Sequence, residues 1–272
     1  MDELSRKHRT LISALEKTGG LVVGYSGGCD STLLAAVARE SLGDKSLCVM
    51  VTFETYPRSE VEQALKTAKA LDLPMATVEE SMLADGNFVA NTPERCYYCK
   101  RKIFTRLFEI GKMHAFSLVA DGSHADDLKD DRPGSRAARE MGVISPLEDV
   151  GLTKNEVREL SRRMGLPTWD KPSFACLATR IPYGTKIETA HIEQIRAAEQ
   201  FLAELGFGQA RVRLHGDIAR IEVEPDEIQR FYSAKTRELV TLAFKKMGFL
   251  RIALDLEGYK TKSMNTAQNI DP

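Results

Sequence analysis

Apolar and polar positions along the chain follow two regimes that change near residue 187. In the first, short apolar runs of strand length alternate with stretches of helical spacing. Residues 3–17 read as an amphipathic helix, and the run Leu21-Val22-Val23-Gly24-Tyr25 as a strand. A helical stretch led by Thr32-Leu33-Leu34-Ala35-Ala36-Val37-Ala38 follows, then the buried strand Leu47-Cys48-Val49-Met50-Val51-Thr52-Phe53. Pro57 marks a loop, residues 59–72 a helix and Pro74-Met75-Ala76-Thr77-Val78 a strand. Residues 94–112 read as a helix, and Ser117-Leu118-Val119-Ala120 as a strand ending at Asp121-Gly122. Strands that alternate with helices and lack hairpin turns predict βαβ units on a parallel sheet. Ligands bind at the carboxyl ends of such strands. Ser26, Phe53 and Asp121 all fall at those ends.

Residues 123–151 read as loop-rich, with Asp126-Asp127 and Asp130-Asp131-Arg132-Pro133-Gly134. Thr153 with Glu156 three residues on forms a capping box that predicts a helix over 153–164. Residues 165–186 carry Pro167, Pro172, Pro182 and Gly184 and read as a long irregular segment, a kind that usually carries function. From 187 the pattern becomes a helix (188–205), then two alternating strands, 210–214 and 218–223. The turn His215-Gly216-Asp217 joins them. Helical residues 226–247 and a strand over 249–254 follow. The expected architecture is α/β: a parallel-sheet domain over 1–186, a small α+β domain over 187–258, and a polar, disordered tail over 259–272.

Composition narrows the function little. The 272 residues are 43% hydrophobic and 28% charged, ordinary for a soluble chain with a sizeable core. A net charge of −1 gives no bulk attraction to nucleic acid. No apolar run has the length of a membrane span, and the N-terminus has no signal-peptide core. A cytoplasmic protein is expected, with its five cysteines as thiols, ligands or redox groups.

The chemistry starts at Ser26-Gly27-Gly28-Cys29-Asp30-Ser31, between the first strand and the helix that follows it. The glycines let backbone N–H groups converge, and the helix start adds unpaired donors and partial positive charge. Such a turn holds phosphate. Ser26 and Ser31 add hydroxyls, and Asp30 suits Mg²⁺ riding on the phosphates. No Gly-Lys-Ser/Thr follows, so it is not a Walker A loop. The pattern resembles the pyrophosphate loop (PP-loop) of the N-type ATP pyrophosphatases, which cleave ATP to AMP and pyrophosphate and adenylate an acceptor oxygen.

Cys96-Tyr97-Tyr98-Cys99 and the distant Cys176 make three thiols, one short of a structural zinc set; the fourth would have to be His124 or His114, and no His stands at finger spacing. Three thiolates suit a [4Fe–4S] cluster with an open iron, and a C-x-x-C suits redox chemistry. Arg95, Lys100, Arg101 and Lys102 favour thiolate character at Cys96 and Cys99. Cys29 and Cys48 fall on core elements and read as buried thiols. Arg211 and Arg213 share one strand face, which suits phosphate, and equally suits pairing with Glu222 or Glu224. Arg180 is a third candidate. Asp126 and Asp127 read as a metal or adenine-side pair or as a solvated loop. Trp169 reads as core or hinge, and His191 as surface.

Taken together, these residues make nearly the whole chain similar to the LarE family, the ATP-dependent pyridinium-3,5-bisthiocarboxylic acid mononucleotide synthases. The similarity rests on residues 26–31, on Asp121-Gly122-Ser123-His124-Ala125-Asp126-Asp127 with Arg132-Pro133-Gly134, on Lys171-Pro172-Ser173 through Cys176 to Gly184, and on Arg211-Val212-Arg213. It implies an adenine-nucleotide-alpha-hydrolase-like fold and a sulfurtransferase that converts a pyridinium carboxylate of a nicotinate-derived mononucleotide to a thiocarboxylate. The product feeds the nickel-pincer cofactor of lactate racemase. Implied ATP contacts are Gly24, Ser26, Gly27, Gly28, Asp30, Ser31, Phe53, Gly122 and Asp126, with Mg²⁺ on Asp30. Asp30, Ser31 and Cys176 are the implied catalytic residues, and Arg180, Arg211 and Arg213 the substrate-phosphate ligands. In one branch of the family the cysteine matching Cys176 gives up its sulfur. In the other, cysteines matching Cys96, Cys99 and Cys176 hold a [4Fe–4S] cluster, and the C-x-x-C points to that branch. A homo-oligomer is implied. A tRNA thiolase shares the loop and thiols, but the net charge and the lack of an RNA-binding extension count against it.

Overall fold

The computed structural model describes residues 2–129, 133–172 and 175–260. The expectations placed on Asp130, Asp131, Arg132, Ser173 and Phe174, and on the tail beyond 260, lie outside the described residues. The chain divides into two compact units, Met1–Met82 with Pro93–Phe174, and Leu83–Thr92 with Ala175–Pro272.

The first unit begins with α1 (Glu3–Glu16), whose N-cap Asp2 accepts the Ser5 N–H at 2.9 Å. Next come β1 (Leu21–Gly24), α2 (Cys29–Leu42), β2 (Ser46–Thr52), α3 (Arg58–Ala70) and β3 (Met75–Glu79). After the one-turn helix α4 (Gly86–Val89), which belongs to the second unit, the first resumes with α5 (Arg95–Met113) and β4 (Val119–Ala120). It closes with α6 (Pro133–Glu140), α7 (Pro146–Asp149) and α8 (Lys154–Arg163). The four strands form a parallel sheet in the order β3-β2-β1-β4, the α/β architecture expected. Leu21, Val23, Cys48, Met50 and Ala120 join a core with apolar residues of α1, α2, α3 and α8. The opposite sheet face meets α5: a Cβ on Gly111 would lie 3.2 Å from Val22 Cγ2. Leu11 and Leu15 of α1 are wholly buried, which contributes about 1.5–3 kcal/mol each.

The capping box at Thr153 and Glu156 is present and starts α8. The stretch read as loop-rich, 123–151, holds a 3-10 turn (Ala125–Lys129) together with α6 and α7. Pro133 is the first residue of α6, where its missing N–H costs nothing, so the Pro-Gly pair opens a helix instead of a loop.

In the second unit, α9 (Thr189–Glu204) packs beside β5 (Arg211–His215), which pairs with β6 (Ile218–Glu222). The span read as one helix, 226–247, is a 3-10 turn (Pro225–Tyr232) and then α10 (Ala234–Lys246), separated by the N-cap Ser233. β7 (Arg251–Leu254) completes a sheet ordered β5-β6-β7, antiparallel then parallel. Among the described residues no helix is long and apolar enough to cross a membrane.

The unit boundaries differ from the single break expected at 186. Residues 83–92 join the second unit because Asn91 ties them down: its amide nitrogen lies 3.3, 2.8 and 2.9 Å from the carbonyls of Ile181, Pro182 and Thr185. The Gly184 N–H donates back to the Asn91 carbonyl at 3.0 Å. Asn91 is buried with φ +52, a left-handed conformation that asparagine tolerates. No shift in composition marks this segment.

Asn91→Ala is expected to lose about 1–3 kcal/mol of unfolding free energy in urea titration, since it strands carbonyls that the amide satisfies. Asn91→Ser should lose less, because a hydroxyl keeps one bond.

Candidate active site

The Ser26–Ser31 turn sits at the carboxyl end of β1 and is fixed from two sides. The Tyr25 N–H donates to the Val49 carbonyl at 2.9 Å, and its hydroxyl donates to the Ala64 carbonyl of α3 at 3.2 Å. Gly27 has φ +71, and a Cβ there would lie 2.2 Å from Ala64 Cβ. Both the backbone conformation and the approach of α3 therefore demand glycine. On the other side a Cβ on Gly122 would lie 2.9 Å from the Ser31 nitrogen. The Gly122 bend is held by Asp121, whose carboxylate accepts from Ser123 N–H (3.1 Å), Ser123 Oγ (2.9 Å) and Ser145 Oγ (2.8 Å). Within the turn, Ser31 Oγ accepts the Ser26 N–H at 3.2 Å and lies 3.0 Å from Ser26 Oγ. Gly28 caps α2 with no side-chain bond, so the first-turn N–H groups keep their donors for an anion.

Asp30 is partly exposed, and its oxygens lie 2.5 and 2.7 Å from Lys154 Nζ. A hard carboxylate beside two serine hydroxyls suits Mg²⁺ chemically. Asp126 accepts the Lys154 backbone N–H at 2.8 Å, which makes it a cap for α8. Asp127 accepts the His124 N–H at 3.1 Å. Phe53 is buried at the end of β2, edge-on to Tyr56 with ring centroids 5.3 Å apart. Lys171 donates to the Gly27 carbonyl at 3.2 Å and pairs with Glu60 at 2.9 Å. Lys154, Glu60 and Ala64 are contacts that motif reading passed over, and Lys171 was quoted only as part of a motif, with no contact assigned to it. One signal was available: Lys154 follows the cap residue Thr153, and a cation in the first turn of a helix opposes the macrodipole.

The thiols separate by burial. Cys29 and Cys48 are buried, and burial pushes the Cys48 thiol up to about 12. Cys96 is exposed and Cys99 half-buried in the first turns of α5; Cys176 is half-buried in the second unit. The Cys176 carbonyl accepts from Thr179 N–H (2.9 Å), Thr179 Oγ1 (2.7 Å) and Arg180 (3.2 Å), which fixes the backbone that carries the thiol. Around the C-x-x-C, Arg136 lies over the Tyr97 ring at 4.6 Å, and the Tyr97 hydroxyl donates to Glu140 at 2.5 Å. Cysteine is the right donor for an iron–sulfur cluster. Among the described residues no three His, Cys, Asp or Glu side chains are grouped to hold a metal ion.

The three candidate phosphate arginines of the second unit differ in kind. Arg180 is 1% exposed and forks onto Glu199 at 2.8 and 2.9 Å. Arg213 forks onto the buried Glu222 at 3.1 and 2.9 Å and donates to the Thr179 carbonyl at 3.0 Å. Arg220 also reaches Glu222, at 2.9 Å. Arg211 donates to the Ala210 carbonyl at 2.9 Å, and its guanidinium lies 5.4 Å from the Tyr259 ring centroid. Burial, then the charge of Arg180, lowers the Arg211 pKa from its ordinary value. A bound anion would relieve both effects.

The family described as NAD synthase matches residues 4–94. An uncharacterized protein of Synechocystis sp. is 38% identical over 244 residues, 90% of this chain and 91% of its own. The pyridinium-3,5-bisthiocarboxylic acid mononucleotide synthase of Lactiplantibacillus plantarum is 35% identical over 266 residues, 97% of this chain and 96% of its own. An uncharacterized protein of Methanocaldococcus jannaschii is 29% identical over 245 residues, 90% of this chain and 92% of its own.

Burial predicts the order of thiol reactivity. Ellman's reagent on the native, metal-free chain at pH 8 should count Cys96, Cys99 and Cys176 quickly. Cys29 and Cys48 should react only after guanidinium is added. Fast labelling of Cys48 in the native chain would contradict the burial described above.

Proposed function

Because the chain belongs to the pyridinium-3,5-bisthiocarboxylic acid mononucleotide synthase family and is an ATP-dependent enzyme forming AMP and pyrophosphate, we propose that its acceptor is a pyridinium carboxylate of a nicotinate-derived mononucleotide. The carboxylate becomes a thiocarboxylate destined for a nickel-pincer nucleotide cofactor, in the cytoplasm. The observation that supports ATP cleavage at residues 26–31 is the glycine turn pressed between Ala64 and Gly122 at the strand ends.

A carboxylate oxygen is a poor leaving group. Its attack on the α-phosphorus forms an acyl-adenylate and releases pyrophosphate, so that AMP becomes the leaving group for the next step. The N–H groups of the turn and the start of α2 stabilise the charge on the departing pyrophosphate. Asp30 would hold Mg²⁺, which when bound offsets phosphate charge. A sulfur nucleophile then forms the carbon–sulfur bond as the bond to AMP breaks. A thiolate needs no general base for this.

Cys176 is the proposed sulfur-handling residue. Cys176→Ala should abolish thiocarboxylate formation while sparing pyrophosphate release; thiocarboxylate made by that variant would overturn the assignment. The mass of the wild-type chain after turnover separates two routes to sulfur. A loss of about 34 Da marks sulfur given up by Cys176 itself, whereas an intact residue with about four iron and four sulfide per chain marks the cluster route.

Arg211 is the proposed ligand of the mononucleotide phosphate, because Arg180 and Arg213 already fork onto buried or half-buried carboxylates. Arg211→Gln should raise KM for the mononucleotide about tenfold or more, a loss of about 1.4 kcal/mol or more. KM for ATP should not move. An unchanged mononucleotide KM would remove Arg211 from the site.

A further inference from the structure

We propose that Tyr259 is a positioning residue for the mononucleotide phosphate: its ring holds the Arg211 guanidinium in place while leaving N–H donors of that guanidinium open to the anion. The proposal rests on the reading of Arg211 as the phosphate ligand.

The first support is the way Arg211 is held. Arg180 and Arg213 are each forked onto a carboxylate, Glu199 and Glu222, and a fork occupies two N–H groups at once. Among the described residues Arg211 has no such fork. Its Nη1 donates to the Ala210 carbonyl at 2.9 Å, and its guanidinium lies over the Tyr259 ring, 5.4 Å from the centroid. That separation is within the range in which a ring face attracts a cation. A guanidinium carries five N–H donors. A ring fixes the group without consuming those donors as a carboxylate would.

The second support is that the segment carrying the ring is tied to β6. As the chain leaves β7, the Asp255 N–H donates to the Ile221 carbonyl at 2.9 Å. A turn follows, in which the Glu257 N–H donates to Asp255 Oδ1 at 2.9 Å and the Gly258 N–H to the Asp255 carbonyl at 3.2 Å. The Tyr259 N–H then donates to the Val223 carbonyl at 2.7 Å. Gly258 has φ +69, and a Cβ on it would lie 2.8 Å from the Val223 carbonyl oxygen. Both the conformation and the close approach require glycine for this return onto β6. Register completes the placement. Arg211 is opposite Glu222 in the β5–β6 pair, so the Val223 that anchors Tyr259 is the residue next to that partner. Arg211 and Tyr259 thus meet from the two sides of the same end of β6.

Electrostatics supply a third. Burial and the neighbouring charge of Arg180 both disfavour the charged form of Arg211. The negative face of the tyrosine ring offsets part of that cost before an anion binds. It brings no full negative charge, so it does not repel an arriving phosphate as a carboxylate in the same place would. Holding a long, rotamer-rich side chain in one place also lowers the entropic cost of binding.

The test measures, by calorimetry on the full chain, binding of the pyridinium dicarboxylate mononucleotide and of the same nucleoside without its phosphate. Tyr259→Leu should weaken mononucleotide binding about threefold to thirtyfold, the range of a cation–π contact. Binding of the nucleoside and of α,β-methylene-ATP should stay within about twofold, a split that a general loss of structure would not produce. Tyr259→Phe keeps the ring and should restore mononucleotide binding to within about twofold of wild type. In an Arg211→Gln chain, Tyr259→Leu should add no further loss, because the ring then has no guanidinium to hold. A loss below about threefold in the Tyr259→Leu variant would overturn the proposal. So would an equal loss for the nucleoside, which would make the ring a contact of the sugar or pyridinium. A Tyr259→Phe variant as weak as Tyr259→Leu would also overturn it, since the hydroxyl would then be the working group. If Tyr259→Leu does not fold, Tyr259→Met replaces it under the same thresholds. Arg211→Gln alone isolates the premise: full mononucleotide affinity there would sink the reading of Arg211. A loss there combined with an unaffected Tyr259→Leu variant would sink only the role of Tyr259.

Discussion

Backbone closeness at the ends of two neighbouring parallel strands is the constraint on which the first unit depends. Gly27 leaves no room for a side chain against Ala64, and Gly122 none against the Ser31 nitrogen. These approaches squeeze the turn of residues 26–31 between α3 and the loop after β4. Parallel pairing of β1 with both β2 and β4 puts Gly24 and Ala120 on the same sheet edge. The connections that reach these strand ends then supply Asp30, Asp126 and Lys154. The donors for an anion are mostly backbone N–H groups of α2, which cost no reorganisation once the core of α1, α2 and α8 has packed.

Charge in the second unit follows a different rule. Glu199 and Glu222 are fully committed: Glu199 takes Arg180 and the Val212 N–H, while Glu222 takes Arg213 and Arg220. Buried pairs of this kind contribute little net stability, but breaking one leaves an uncompensated charge. Their role here is placement. They fix Thr179, Arg180 and the Cys176 carbonyl relative to β5, so the thiol rests on a rigid backbone. They also leave Arg211 as a cation beside another cation, and that arrangement is what a phosphate would stabilise.

Much of this was legible in the sequence, for identifiable reasons. The β1 turn showed because Gly27, Gly28, Asp30 and Ser31 are adjacent in the chain, and α8 showed because Thr153 and Glu156 make a local box. Strand pairing of β5 with β6 followed from the His215-Gly216-Asp217 turn. What stayed hidden depends on contacts distant in sequence. Residues 83–92 join the second unit through Asn91, ninety residues before its partners. The Glu199 partner of Arg180 was not foreseen, whereas the Glu222 partner of Arg213 was one of two readings, because a fork suits phosphate and carboxylate alike. Pro133-Gly134 looked like a turn because the same proline that ends one helix starts another.

The cations of the two units differ in what an arriving anion would change. Burial and the charge of Arg180 both disfavour the Arg211 charge, so a fixed anion there would be stabilising. Lys154 already has a carboxylate partner in Asp30 and would have to leave it to meet another anion. A planar fork suits an anion held in place, whereas a flexible ammonium suits one that moves. That difference in side-chain chemistry separates Arg211 from Lys154, each within its own unit.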